Sequence, residues 1–225
     1  GKAPGGLPLS TQALQHGLHQ EEKGSFADQL SLLNDWLALS GTESGETVFP
    51  TPIPPIPPEK FVLGASVQSA QLAAQSDWNF IFAAHLNGDK ALLHDVLSFW
   101  QIHSARPTIV AVQVIVADSY DTAAQLAENV QLWGVELEDG QRVTVASEEQ
   151  ALAFAAQSGS PPRKIARREQ ALLHGTAQEV MAKLNALHTQ FGIDEFIIDT
   201  PVAQGHARLT SLRLLAQAHN AVEVL

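Results

Sequence analysis

Hydrophobic and polar positions along this chain follow two periods that take turns. Short apolar runs rich in β-branched residues fall at residues 60–63, 80–84, 108–117 and 195–200. Between them apolar side chains recur every three or four positions, as Leu92, Leu93, Val96, Leu97 and Trp100 do within residues 89–103. The first pattern predicts a strand buried in a parallel sheet, and the second an amphipathic helix that covers it. Repetition of strand, helix and strand makes an α/β protein.

The unit around which the rest is organised is residues 60–87. Its opening KFVL follows a proline tract and predicts a strand buried on both sides. Gly64, Ala65 and Ser66 then allow a tight turn into a helix over residues 67–75, with Leu72 and Ala73 inward, before the strand at 80–84. Residues 108–117, TIVAVQVIVA, read as a fully buried parallel strand. A Ser119 cap begins an amphipathic helix over residues 119–133. Thr176 and Glu179 form a capping box for a helix that runs to Phe191 and ends at Gly192. Residues 208–219 form the closing helix.

Three stretches depart from this rhythm. Residues 12–36 are helical in pattern, broken near Gly24, with Phe26, Leu30, Leu33 and Leu37 expected to face a core. Residues 41–58 contain TPIPPIPP and read as a stiff, extended connection. Residues 137–145 carry a hairpin signal at Asp139-Gly140. Residues 147–168 read as helical and polar, interrupted by Ser160-Pro161-Pro162, so residues 137–171 are expected to be a mobile excursion placed like a lid. Four βα units without the glycine fingerprint of a dinucleotide-binding fold amount to half of an eight-stranded barrel. On this reading residues 1–225 are the C-terminal portion of one barrel domain.

A net charge of −11 disfavours nucleic acid, because phosphate backbones require clustered Lys and Arg. No window approaches the run of about 20 apolar residues that a membrane helix needs, and a cytoplasmic location is expected. The absence of cysteine removes thiol nucleophiles and thiolate metal sites. His16 and His19 stand beside Glu21 and Glu22, yet without a further ligand they read as a solvated helix face, and no metal is expected. The chain begins at Gly1 with a loop, GKAPGGLP, and reads as a piece of something longer.

The chemistry is expected at the carboxyl ends of the strands. A helix N-terminus rich in Gly and Ser after a parallel strand attracts anions, which makes Ser66 and Ser69 candidates for holding a phosphate. The competing reading is an ordinary small-residue turn. His206 and Arg208 follow the last strand and read as solvated helix-start residues. Trp78, Trp100 and Trp133 read as core packing.

The segments GKAPG, LGASVQSAQLAAQ, FIFAAHLN, VAVQVIVAD, HGTAQEV and DEFIIDTPVAQGHARLTSLRLLA resemble, in order and spacing, the bacterial luciferase-like flavin monooxygenases, in particular the alkanal-monooxygenase-like branch. The resemblance implies a TIM-type (β/α)8 barrel. This chain would supply strands 5–8 and the loop after strand 4, the C-terminal two thirds of such a protein. It implies an FMN-dependent monooxygenase, an oxidoreductase that uses reduced FMN from a separate flavin reductase and dioxygen to oxidise a small organic substrate, an aldehyde among the possibilities. A non-catalytic flavin-binding or dimerising relative is the alternative. The implied cofactor-binding residues are Lys2, Gly64, Ala65, Ser66, Val67 and Ser69, around the flavin phosphate. Lys2 stands where the family has Arg and lacks its two-pronged fork, and Ala65 stands where luciferase has a carboxylate. His85 is implied as a catalytic-cavity residue, with a structural hydrogen-bonding role as the alternative. A homo-oligomer is implied as well.

Overall fold

The computed structural model describes residues 7–14, 24–38, 54–84, 89–168 and 171–223. Two N-terminal helices, α1 (Pro8–Leu14) and α2 (Phe26–Ala38), precede β1 (Phe61–Gly64), α3 (Val67–Gln75), β2 (Asn79–Ala83), α4 (Lys90–His103) and β3 (Ile109–Val116). There follow α5 (Tyr120–Glu128), β4 (Leu132–Leu137), β5 (Arg142–Val145), α6 (Glu148–Gln157) and β6 (Pro162–Arg168). The chain closes with β7 (Leu172–Gly175), α7 (Ala177–Phe191), β8 (Glu195–Asp199) and α8 (Gly205–Glu223). Helix starts are set locally: Ser66, Asp89, Ser119, Ser147 and Thr176 each turn a side-chain oxygen back onto a first-turn amide.

Strands β1, β2, β3, β7 and β8 form one wholly parallel sheet. The longest, β3, joins the others: it pairs with β2 through residues 109–111, with β8 through 109–113 and with β7 through 113–116. Register sorts the side chains into two faces, because successive residues of a strand point to opposite sides. On one face Val62, Phe80, Phe82, Val110, Val112 and Val114 pack with Ala70, Ala73, Val96, Leu97, Trp100, Val180, Leu184 and Leu215 of α3, α4, α7 and α8. Trp100 is wholly buried, tilted against Phe80 at 5.5 Å between ring centroids, and its indole N–H donates to the Pro107 carbonyl at 3.1 Å.

The opposite face is covered only in part. Phe61, Leu63 and Ile197 are 40%, 55% and 40% exposed. Register aligns Leu63 with Ile81, Ile81 with Ile109, and Ala111 with Ile197, so these residues form a continuous apolar surface. Burial on both sides, expected from composition, therefore holds for one face of β1, through Val62, while in β8 the residues on that face, Phe196 and Ile198, are half-buried. The described strands form an open sheet and do not close a barrel. They number five in that sheet rather than four, because the short β7 pairs with β3 as well.

The excursion is built differently from its expectation. Helix α5 stops at Glu128, and Trp133 lies half-buried in β4, not on a helix. The hairpin is present: β4 and β5 pair antiparallel, and Gly140 takes a positive φ of 86° in the turn. The segment after Pro161, read as helix, is the strand β6, which pairs antiparallel with the other edge of β4. Pro162 starts it, where proline is tolerated, and its side chains are mostly exposed, so it carries no apolar signal. Val135, Leu137, Ala151 and Phe154 give this three-stranded layer and α6 a small core of their own. Of the apolar positions in α2, Leu30 is buried, while Leu33 is 41% exposed, because the helix meets the body along a narrow stripe.

Candidate functional site

Because all five strands of the main sheet run the same way, their carboxyl ends share one edge. Ligands of open α/β sheets and of barrels bind at that edge. There β1 passes into α3 through Gly64, Ala65 and Ser66. Ser66 is extended, with φ −150° and ψ 155°, and caps α3: its Oγ accepts from the Ser69 amide at 3.2 Å. The two hydroxyls, Ser66 Oγ and Ser69 Oγ, lie 3.0 Å apart, so one donates to the other. Gly64, Ala65, Ser66, Val67 and Ser69 are all half-buried.

Gly64 is required here by proximity and not by a left-handed turn. A Cβ on it would lie 2.4 Å from Ser69 Cβ and 2.6 Å from Ser69 Oγ. The strand end thus touches the first turn of the helix, and only hydrogen fits between them. This approach holds Ser69 over the end of β1. The first amides of α3 have no earlier carbonyls to bond, and the helix dipole adds positive potential to them. Two hydroxyls at a helix N-terminus make a site whose chemistry fits a phosphate group.

Sequence reasoning passed over a second pair on this edge. Gln113 and Asp199 are register partners on the partly open face of β3 and β8, and Gln113 Nε2 donates to Asp199 Oδ2 at 2.9 Å. Gln113 is the one polar residue inside TIVAVQVIVA, and that interruption was the available signal. Just after Asp199, the Thr200 hydroxyl is buried without a hydrogen-bond partner among the described residues.

The remaining predicted residues separate clearly. Lys2 and His85 lie outside the described residues. Trp78 and Trp100 are core, as expected; the Trp78 indole donates to Asn34 Oδ1 at 3.1 Å. Arg208 spends its Nε on the Val202 carbonyl at 2.8 Å, bracing the loop after β8, while His206 is exposed. Among the described residues no group of His, Asp and Glu could hold a metal ion, and no helix is long and apolar enough to cross a membrane.

No protein-family model matches the chain. It is 30% identical over 224 residues to N-acetyl-S-alkylcysteine monooxygenase of Bacillus subtilis, covering 97% of this chain and 66% of that protein. Its fold is similar to the monooxygenase RslO1 of Streptomyces bottropensis, with a TM-score of 0.63 and 16% identity, covering 96% of this chain and 66% of that one. It is also similar to the oxygenating constituent of 3,6-diketocamphane monooxygenase of Pseudomonas putida, solved with FMN. There the TM-score is 0.56 and the identity 15%, covering 96% of this chain and 69% of that one. The chain thus spans about two thirds of the length of each. Along nearly its whole length, and in its parallel sheet, the chain is thus similar to monooxygenases of the luciferase-like type.

Proposed function

We propose that the protein is a two-component FMN-dependent monooxygenase, and that the flavin phosphate sits at the start of α3. The observation that carries this reading is the Gly64–Ser69 approach, which brings two hydroxyls and a helix N-terminus together at the carboxyl edge of the sheet. In this reading the amides of Ala65 and Val67 and the hydroxyls of Ser66 and Ser69 hold the phosphate. Lys2 adds its charge, and His85 forms part of the cavity wall. The apolar face formed by Leu63, Ile81, Ala111 and Ile197 becomes the interior of a (β/α)8 barrel. Strands outside the described residues would complete it and exclude water from the reacting groups.

When bound and reduced, the flavin supplies the electrons that activate dioxygen. The task of this chain is to anchor, orient and keep dry. Asp199, held by Gln113, offers an oriented hydrogen-bond acceptor on the same sheet face. A separate reductase would deliver reduced FMN, and a homo-oligomer in the cytoplasm is part of the reading. The substrate is a small organic molecule. The similar Bacillus subtilis enzyme is named for a thioether, N-acetyl-S-alkylcysteine, so thioethers stand beside aldehydes as compounds to try.

The test is oxidation of a thioether and an aldehyde panel by the full-length protein with a flavin reductase, NADH, FMN and air. Product that requires both reductase and this protein is the expected result. Tight flavin binding with no product from any substrate would favour a non-catalytic flavin holder instead.

A further inference from the structure

Away from the phosphate site, α5, β6 and β7 line an open cleft of about 560 Å³, in the size range of small-molecule sites. Its lining includes apolar Ala127 from α5 and Leu172 from β7. It also holds Arg167, Arg168 and His174, with Glu128 the one carboxylate among the described lining residues. The basic character is local. Residues 162–168 hold Arg163, Lys164, Arg167 and Arg168, four of the 13 Lys and Arg residues in a chain of net charge −11. Neither Arg167 nor Arg168 makes an ion pair among the described residues.

Two of these side chains have defined positions. The His174 ring leans on Tyr120 at 5.5 Å between centroids. Arg168 lies across β4 where Gly134 leaves space: a Cβ there would be 2.6 Å from Arg168 Nε and 3.2 Å from its Cγ. Leu172 and His174 are register partners of Gln113 and Ile115, so the cleft borders the sheet face opposite the main core.

We propose that this cleft binds a small organic carboxylate carrying a short alkyl chain. Planar guanidinium groups match a carboxylate, which accepts two N–H bonds at once, and apolar Ala127 and Leu172 take the chain. A bare inorganic anion would leave them unused, and an uncharged analogue would leave two arginines without a partner. The site does not depend on flavin.

Calorimetric titration of the flavin-free, full-length protein with hexanoate, hexanamide and inorganic phosphate tests it. Hexanoate should bind, weaken with added salt as an ionic contact does, and exceed hexanamide and phosphate by about tenfold, the order expected for hydrogen bonds to a charged group. Replacing Arg167→Gln and Arg168→Gln together should abolish hexanoate binding without moving the melting temperature. Gly134→Ala, which displaces only the flexible end of Arg168, should weaken it about threefold by the same principle. If the double variant does not fold, Gly134→Ala decides. No hexanoate binding at millimolar concentration, equal binding of hexanamide or phosphate, or unchanged binding in the arginine variants would overturn the proposal.

Discussion

At the edge where the parallel strands begin, polar groups pair across elements distant in sequence; at the edge where they end, most pairs are local, apart from Gln113 with Asp199 and the Val116 amide with the Ser211 hydroxyl. Arg106, before β3, reaches back to Asp77 Oδ1 at 2.6 Å and to Asn79 Oδ1 at 3.3 Å, before and within β2. The Asp194 carboxylate accepts the Thr108 amide at 2.7 Å, and Gln101 donates to the Phe191 carbonyl at 2.9 Å. Asn34 of α2 accepts from both Lys60 and Trp78. At the other edge Ser66 meets Ser69, Ser119 meets Thr122, Thr176 meets Glu179, and the Thr200 hydroxyl meets nothing among the described residues. One edge fastens the fold, and the other is where the phosphate site is proposed. Barrel proteins divide their two ends in the same way.

Substitutions can break this contrast from either side. The largest loss is expected for Trp100→Ala, which empties a fully buried site beside Phe80 and removes the bond to Pro107. It should cost about 3–5 kcal/mol, read from urea denaturation, because a cavity remains where the ring was. Gly64→Ala comes next. Its Cβ would overlap the Ser69 side chain and must force α3 from β1, at about 1–3 kcal/mol, the usual cost of overpacking. This variant should also weaken flavin binding, since Ser69 moves with the helix; flavin affinity unchanged beside a lowered melting point would separate Gly64 from the site.

A smaller effect sharpens the fastened edge. The Arg106 hydrogen bond and charge hold the Asp77 carboxyl below the usual carboxylate range, and bonds from Ser25 and Thr176 do the same for Asp28 and Glu179. Their folded values are depressed, so the unfolded chain takes up these protons first on acidification. Their stabilisation is complete above the ordinary values of 3.8 for Asp and 4.5 for Glu, and is lost as pH falls through the lower folded values. Arg106→Gln should flatten the acid limb of stability against pH and leave the limb above pH 5 unchanged in shape. All three groups are exposed, so the change should be small and should shrink in high salt.

What could be read in the sequence divides along physical lines. Helix boundaries carried by capping chemistry were legible to the residue, as at Ser66, Thr176 with Glu179, and Gly192 with its φ of +61°. So were strands carried by dense β-branched runs, such as β3. The strand β6 was not, because PRKIARR pairs through its backbone while most of its side chains face water. Strand β7 is four residues long and ends in the helix cap, too short to show a period. Trp133 was assigned to a helix because the apolar spacing of α5 continues past Asn129, where the helix ends. At the site, the Ser66 and Ser69 placement was legible from the turn. The 2.4 Å reason for Gly64 and the Gln113–Asp199 pair depend on register, which no single segment records.

The central claim is that the start of α3 recognises the phosphate of the flavin and not its ring. The most direct test is the affinity of the full-length protein for FMN and for riboflavin, before and after changing Ser66→Ala and Ser69→Ala together. Loss of hydrogen bonds to a charged group should lower FMN affinity by about tenfold or more and leave riboflavin within about twofold. An equal loss for both ligands, or no loss for FMN, would contradict the account.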